Sequence, residues 1–223
     1  MTLRIPALVL CDLDGTLVDT VPDISQAADN MMLQLGLPPR GEAAVRTWIG
    51  NGIESLVKRA LLGQMAGEPD EALFQRAFPL FKQAYAACNG QHSILFSGVR
   101  EGLTWLKAQD FALGCITNKA EQFTLPLLAS LELEDYFSLV ISGDTLPKKK
   151  PDPLPLLYSA EFFKVDPRQA LMIGDSVNDV QAARAAGFQI ICVPYGYNHG
   201  EDIRLAKPDA VIESLAMLPE VFD

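Results

Sequence analysis

The feature that most constrains this chain is a long interruption. A short apolar run, Ile5–Cys11, is followed from about Val21 to Phe96 by no strand-like stretch at all. That interval holds only helix-favouring segments, broken at Gly36-Leu-Pro-Pro and Gly67-Glu-Pro-Asp. The spacing predicts helices over Pro22–Leu35, Glu42–Gly50, Ile53–Gly63 and Asp70–Cys88. Structureless loops longer than about 12–15 residues are uncommon in compact domains. The interval therefore reads as an α-helical domain, residues 18–96, inserted into a second domain made of residues 1–17 and 97–223.

Beyond the insertion the pattern changes. Phe111–Ile116, Leu139–Ser142, Ala170–Ile173 and Gln189–Val193 are short and rich in Val, Ile, Leu and Cys, as strands buried on both faces are. Helical spacing fills the intervals, over Arg100–Gln109, Glu121–Leu131, Leu154–Phe163 and Val177–Ala186. Strand and helix in alternation predict an α/β fold: a doubly wound, Rossmann-like parallel sheet with helices on both faces. The chain crosses between the two parts near Val18–Pro22 and Leu95–Gly98, where hinges are expected.

Composition removes several function classes. Of 223 residues, 28 are Asp or Glu against 18 Lys or Arg, a net charge of −10. Binding to a phosphate backbone or an anionic membrane needs a basic face, so neither nucleic acid nor membrane is expected as a partner. No run approaches the roughly 20 apolar residues that span a bilayer. The N-terminus has no long apolar core before Asp12 and Asp14, unlike a secretory signal. The four cysteines form no Cys-x-x-Cys pair and read as buried hydrophobes in a reducing compartment, so a cytoplasmic location is expected. A monomer and a dimer are equally compatible with the sequence.

Ligands of an open parallel sheet bind beyond the carboxyl ends of its strands. The first strand ends in Asp12-Leu13-Asp14-Gly15-Thr16 and the second in Thr117-Asn118-Lys119. Lys148-Lys149-Lys150-Pro151 follows the third, and Gly174-Asp175-Ser176-Val177-Asn178-Asp179 the fourth. Taken singly these are turns, helix caps and a solvated lysine run. Together they bring several carboxylates to one edge, where two unit charges 4 Å apart repel by about 4 kcal/mol at an effective dielectric constant of 20. Such a cluster requires a cation. An all-oxygen site favours Mg²⁺ over zinc, and the two histidines, His92 and His199, have no metal-ligand spacing. A lysine and a hydroxyl–amide pair beside the cation suggest a phosphoryl group. No cysteine is followed six positions on by Arg, and neither G-x-S-x-G nor G-x-x-x-x-G-K-[ST] occurs.

These four motifs, in this order and with a helical insertion between the first two, resemble the haloacid dehalogenase superfamily over essentially the whole chain. Cys11 departs from its pattern, which usually has Phe or Tyr there; a packing change is expected. The resemblance implies Asp12 as a nucleophile forming an aspartyl-phosphate and Asp14 as general acid, then base. It implies Mg²⁺ on Asp12, the Asp14 carbonyl oxygen and Asp175, and Asp179 behind them, ordering Lys150 or a metal-bound water. Thr117, the Asn118 backbone and Lys150 would hold phosphoryl oxygens, and Gly15 would let the backbone approach them. Retention of Asp14 favours phosphate-ester hydrolysis over dehalogenation and leaves a phosphomutase possible.

The helical insertion would choose the substrate. Arg46-Thr-Trp-Ile-Gly-Asn51-Gly52 resembles the corresponding stretch of bacterial phosphoglycolate phosphatases, as do Ser142–Pro151 and Tyr195–Asn198. The implied substrate is a small anionic phosphomonoester, 2-phosphoglycolate, with a sugar or amino-sugar phosphate as the alternative. Its carboxylate would be met by Arg46 or by the Gly50-Asn51-Gly52 turn. A silent phosphate-binding relative would lack Asp12, Asp14 or Asp175, and all three are present.

Overall fold

The computed structural model describes residues 3–222. Six parallel strands form one sheet: β1 (Leu8–Cys11), β4 (Ala112–Ile116), β5 (Leu139–Ile141), β6 (Ala170–Gly174), β7 (Gln189–Cys192) and β8 (Ala210–Val211). Their order is β5-β4-β1-β6-β7-β8. Leu8 lies level with Ala112 on one side and with Ala170 on the other, so chain order reverses at β1. A crevice opens at such a reversal, beyond the strand ends.

Alternation along β1 divides the core. Val9 and Cys11 face a cluster containing Leu103 of α5 (Val99–Ala108) and Leu127 of α6 (Glu121–Ser130). Leu8 and Leu10 face the other layer, with Leu156 of α7 (Leu154–Phe163) and Val180 of α8 (Val177–Ala186). Both faces are therefore covered, which is why the strands read as continuous apolar runs. Strand β1 starts later than the apolar run suggests: Pro6 lacks an N–H, and Ile5 is exposed. Cys11 belongs to this core, and burial pushes its thiol up to about 12. All four cysteines are buried and unpaired. Among the described residues no helix is long and apolar enough to cross a membrane.

Four helices fill the interval between β1 and residue 94: α1 (Val21–Gln34), α2 (Glu42–Trp48), α3 (Ile53–Leu62) and α4 (Glu71–Cys88). Their apolar faces make a further cluster that includes Met31, Trp48, Leu56, Phe81 and Tyr85 and is joined by Phe123 of α6 and by Tyr197. Asp70 caps α4, accepting from the Leu73 N–H at 2.9 Å. The expectation of no strand up to Phe96 needs one correction. Val18–Asp19 (β2) and Ile94–Leu95 (β3) pair antiparallel, joining the two crossings expected to be hinges. Two-residue strands carry no periodic signal, and β8 escaped the sequence reading for the same reason. The eight expected helices start and end within two residues of their predicted bounds, and the short α9 (Leu218–Phe222) escaped the sequence reading.

Candidate active site

Asp12, Thr117 and Asp175 each follow directly on a strand, and β1 lies between the other two strands, so the three meet at one edge of the sheet. The Asp12 N–H continues the ladder to the Ile173 carbonyl at 2.9 Å. A cavity of about 60 Å³ lies between this edge and the helices. Asp12, Asp14, Thr117, Asn118, Lys150 and Asp175 all line it.

Lys150 organises the carboxylates. Its Nζ lies 2.9 Å from Asp12 Oδ1, and it donates to Asp179 Oδ1 at 2.7 Å and to the Ile116 carbonyl at 2.7 Å. All three ammonium hydrogens are thus taken up by protein acceptors. Burial alone would depress this lysine, but Asp12 and Asp179 together hold it above the ordinary lysine value. Asp12 Oδ1 also accepts from the Leu13 N–H at 2.8 Å. Among the described residues no donor reaches Asp12 Oδ2.

Asp175 accepts from Thr16 Oγ1 at 2.8 Å and from the Tyr197 N–H at 2.7 Å. Asp179 completes the capping box of α8: its Oδ2 accepts from the Ser176 N–H at 3.0 Å and Oγ at 2.7 Å. One residue therefore caps the helix and anchors Lys150. Gly15 meets a demand besides the expected approach to phosphate. It sits at φ +86°, and a Cβ there would fall on the Asp175 carboxylate and 2.9 Å from the Tyr197 ring.

The donor set fits a hard cation. One oxygen each of Asp12, Asp175 and Asp179 lies within 4.8 Å of the others. Asp179 is the most heavily engaged, with Oδ1 on Lys150 and Oδ2 accepting from Ser176 and the Asp175 N–H, whereas each Asp175 oxygen accepts once and Asp12 Oδ2, among the described residues, not at all. Burial, then the charge of Asp179, pushes Asp175 up to about 7. Asp12 is raised well above the carboxylate range by burial, against the pull of Lys150. Carboxylates this reluctant to ionise are relieved by a bound cation.

The helical residues divide. Gly50 and Gly52 line the cavity, in a turn where Gly50, Asn51 and Gly52 all have positive φ. Asn51 does not line it; its Oδ1 accepts from Arg59 at 3.0 Å and its carbonyl from Lys149 at 2.8 Å. Arg46 also lies outside the lining, paired with Asp19 at 3.3 Å and Glu42 at 3.2 Å. Of the lining groups given no part by the sequence reading, two gather around Asp14. Lys119 lies 3.0 Å from Asp14 Oδ1, and Tyr85 of α4 accepts from the same ammonium. Lys119 stood in view as the third residue of a strand-end tripeptide, whereas Tyr85 looked like any core aromatic.

The sequence profile of the family described as haloacid dehalogenase-like hydrolase matches residues 9–193. The chain belongs to this family. A phosphoglycolate phosphatase of Nitrosococcus oceani is 58% identical over 96% of this chain and 95% of its own length. One of Thiobacillus denitrificans is 54% identical over 93% and 92%. The crystal structure of a predicted phosphoglycolate phosphatase from Haemophilus somnus 129pt superposes with a TM-score of 0.92 at 34% identity, covering 99% of both chains. With phosphatase relatives of this likeness spanning nearly the whole chain, this haloacid dehalogenase-like hydrolase is a phosphoric monoester hydrolase, and its substrates are small phosphate esters.

Proposed function

We propose that the enzyme hydrolyses 2-phosphoglycolate to glycolate and phosphate, through an aspartyl-phosphate on Asp12 and with Mg²⁺ as cofactor. The observation that carries this reading is the state of Asp12. It is a buried carboxylate backed on one oxygen by Lys150 and open on the other, sharing a small cavity with Asp14. Asp12 attacks phosphorus, and the bond to the ester oxygen breaks. Asp14 gives its proton to that leaving oxygen, which departs as the hydroxyl of glycolate. Asp14 then takes a proton from water as the water attacks phosphorus. The bond to Asp12 breaks, releasing phosphate and restoring the carboxylate.

Thr117 and the Asn118 backbone steady the phosphoryl oxygens while charge moves among them, and the buried charge of Lys150, its hydrogens already given to Asp12, Asp179 and the Ile116 carbonyl, acts on them through space. Asp12, Asp175 and the Asp14 carbonyl would hold Mg²⁺, which when bound neutralises the phosphate and draws charge from phosphorus. Asp179 acts through Lys150. In this reading residues 18–96 are a cap over a core of residues 1–17 and 97–223. Substrate enters and product leaves as the cap moves about the β2–β3 crossings. The cavity size and its lining by Ile24, Ile49 and Leu56 support a compact substrate. A cytoplasmic location belongs to the same reading, supported by four buried unpaired cysteines.

The test is phosphate release from 2-phosphoglycolate, hexose phosphates, amino-sugar phosphates and nucleoside monophosphates, with Mg²⁺ and with chelator. Mg²⁺-dependent preference for 2-phosphoglycolate is expected. Preference for a sugar phosphate would keep the mechanism and reject the substrate.

A further inference from the structure

Resting on the phosphoglycolate reading, we propose that Lys119 recognises the carboxylate of the substrate, with Tyr85 holding its ammonium in place. A carboxylate drawn into a cavity this small needs a cation at its wall. Arg46 is paired with Asp19 and Glu42 away from the cavity. Arg59 is bound to the Trp48 carbonyl at 2.6 Å and to Asn51, and Lys149 to Asn51. Lys150 lines the cavity with all its hydrogens engaged.

Lys119 is different. Its side chain is 2% exposed, yet it lines the cavity. Asp14 accepts from the ammonium with Oδ1 at 3.0 Å and with Oδ2 at a longer 3.4 Å, and the Tyr85 hydroxyl accepts as well. The 3.4 Å contact is weak and goes to a carboxylate already served by a shorter one, so a substrate carboxylate can take its place. Asp14, as general acid, must lie about 2.6–3.2 Å from the ester oxygen it protonates. The carboxylate carbon of phosphoglycolate is two bonds from that oxygen. With Nζ 3.0 Å from Asp14 Oδ1, the ammonium lies on the side of the cavity where the carboxylate arrives. Low local dielectric strengthens the contact.

Tyr85 fixes the cation. Its ring lies 4.8 Å from Nζ and 4.8 Å from the Phe123 ring, and the residue is fully buried. Burial keeps the phenol neutral by pushing it well above its ordinary value, so it remains an acceptor for the ammonium that adds no charge. The cation thus comes from the sheet edge and its brace from α4, so closure of the helices onto the sheet completes the subsite.

The experiment compares 2-phosphoglycolate with 2-phosphoglycolamide, which has the same size and no carboxylate charge. The wild-type enzyme with Mg²⁺ should favour the acid in kcat/KM by about tenfold or more, and Lys119→Met should bring the ratio to within about threefold of unity, chiefly through KM. Lys119→Gln should act in the same direction and serves if the Met variant does not fold. Tyr85→Phe, which keeps the cation and frees it to move, should lower the ratio by a smaller factor. If Lys119 served only to position Asp14, both substrates would slow by the same factor and the ratio would stand. That result, or a wild-type ratio near one, overturns the proposal. Failure of the substrate reading shows separately, as wild-type preference for a different ester before any variant is made.

Discussion

On the sheet side of the cavity, Asp12, Asp175 and Asp179 are fixed by named polar contacts, four of them from Lys150 and the Ser176 hydroxyl and N–H. On the helical side, Ile24, Ile49, Ile53 and Leu56 offer apolar atoms, with Tyr85 the polar exception from α4. The first wall holds charges in a fixed pattern and suits the phosphoryl chemistry. The second excludes water and shapes the space for the leaving group. Chemistry and selection are thus carried by different kinds of interaction, and a substitution should disturb one largely without the other.

The largest expected effect is on the sheet side. Asp12→Asn should lower kcat by more than about 10³-fold, because no other group can accept the phosphoryl. The fold should survive, since Lys150 keeps Asp179 and the Ile116 carbonyl. Rates measured beside a thermal melt check both halves. Activity above about 1% of wild type would remove Asp12 from the nucleophile's place.

The same contrast explains what could be read in advance. Asp12, Asp14, Asp175 and Lys150 are polar residues at strand ends, and each strand end was visible as the close of an apolar run. Their convergence followed from parallel pairing about β1. On the helical side a cavity-facing residue and a core residue obey one periodicity. Tyr85 lies on the same α4 face as Phe81 and Ala77, and nothing in their spacing distinguishes it. Arg46 shows a related limit. A cation in a promising stretch looks available until its partners are seen, and Asp19 lies 27 positions earlier in the chain. Gly15 also shows a property pattern cannot give: its lost side chain makes room for a carboxylate 160 positions away.

A middle-sized effect sharpens the electrostatic half of the contrast. Asp175 titrates near 7 in the fold because burial, then Asp179, raises it from 3.8, and Asp12 is raised too. A carboxyl raised by folding binds its proton more tightly in the native state. Its contribution to stability is complete below about pH 4 and is lost as pH rises through about 7. In chelator, unfolding free energy should therefore fall between about pH 5 and pH 8, by on the order of 2–4 kcal/mol. Mg²⁺ should restore stability at pH 8 and act much less at pH 5, where protons compete for the same oxygens. Melting curves at both values, with and without the ion, check this. An Mg²⁺ shift equal at both would mean that the ion does not sit on these carboxylates.

The smallest effect bears on the helical side. Arg46 is 37% exposed in its side chain, paired with Asp19 and Glu42, with its guanidinium 5.5 Å from the centre of the Tyr197 ring. Half-exposed ion pairs contribute about 0–1 kcal/mol, so Arg46→Ala should change stability by no more than that. Because the side chain does not line the cavity, kcat/KM for 2-phosphoglycolate should stay within about threefold of wild type, and so should its ratio to the amide analogue. A selective loss for the acid would mean that the helices swing Arg46 inward when substrate binds, freeing it from Asp19. Recognition of charge would then belong to both walls. An unchanged ratio leaves the helical wall apolar, with Tyr85 acting through a lysine that the sheet supplies.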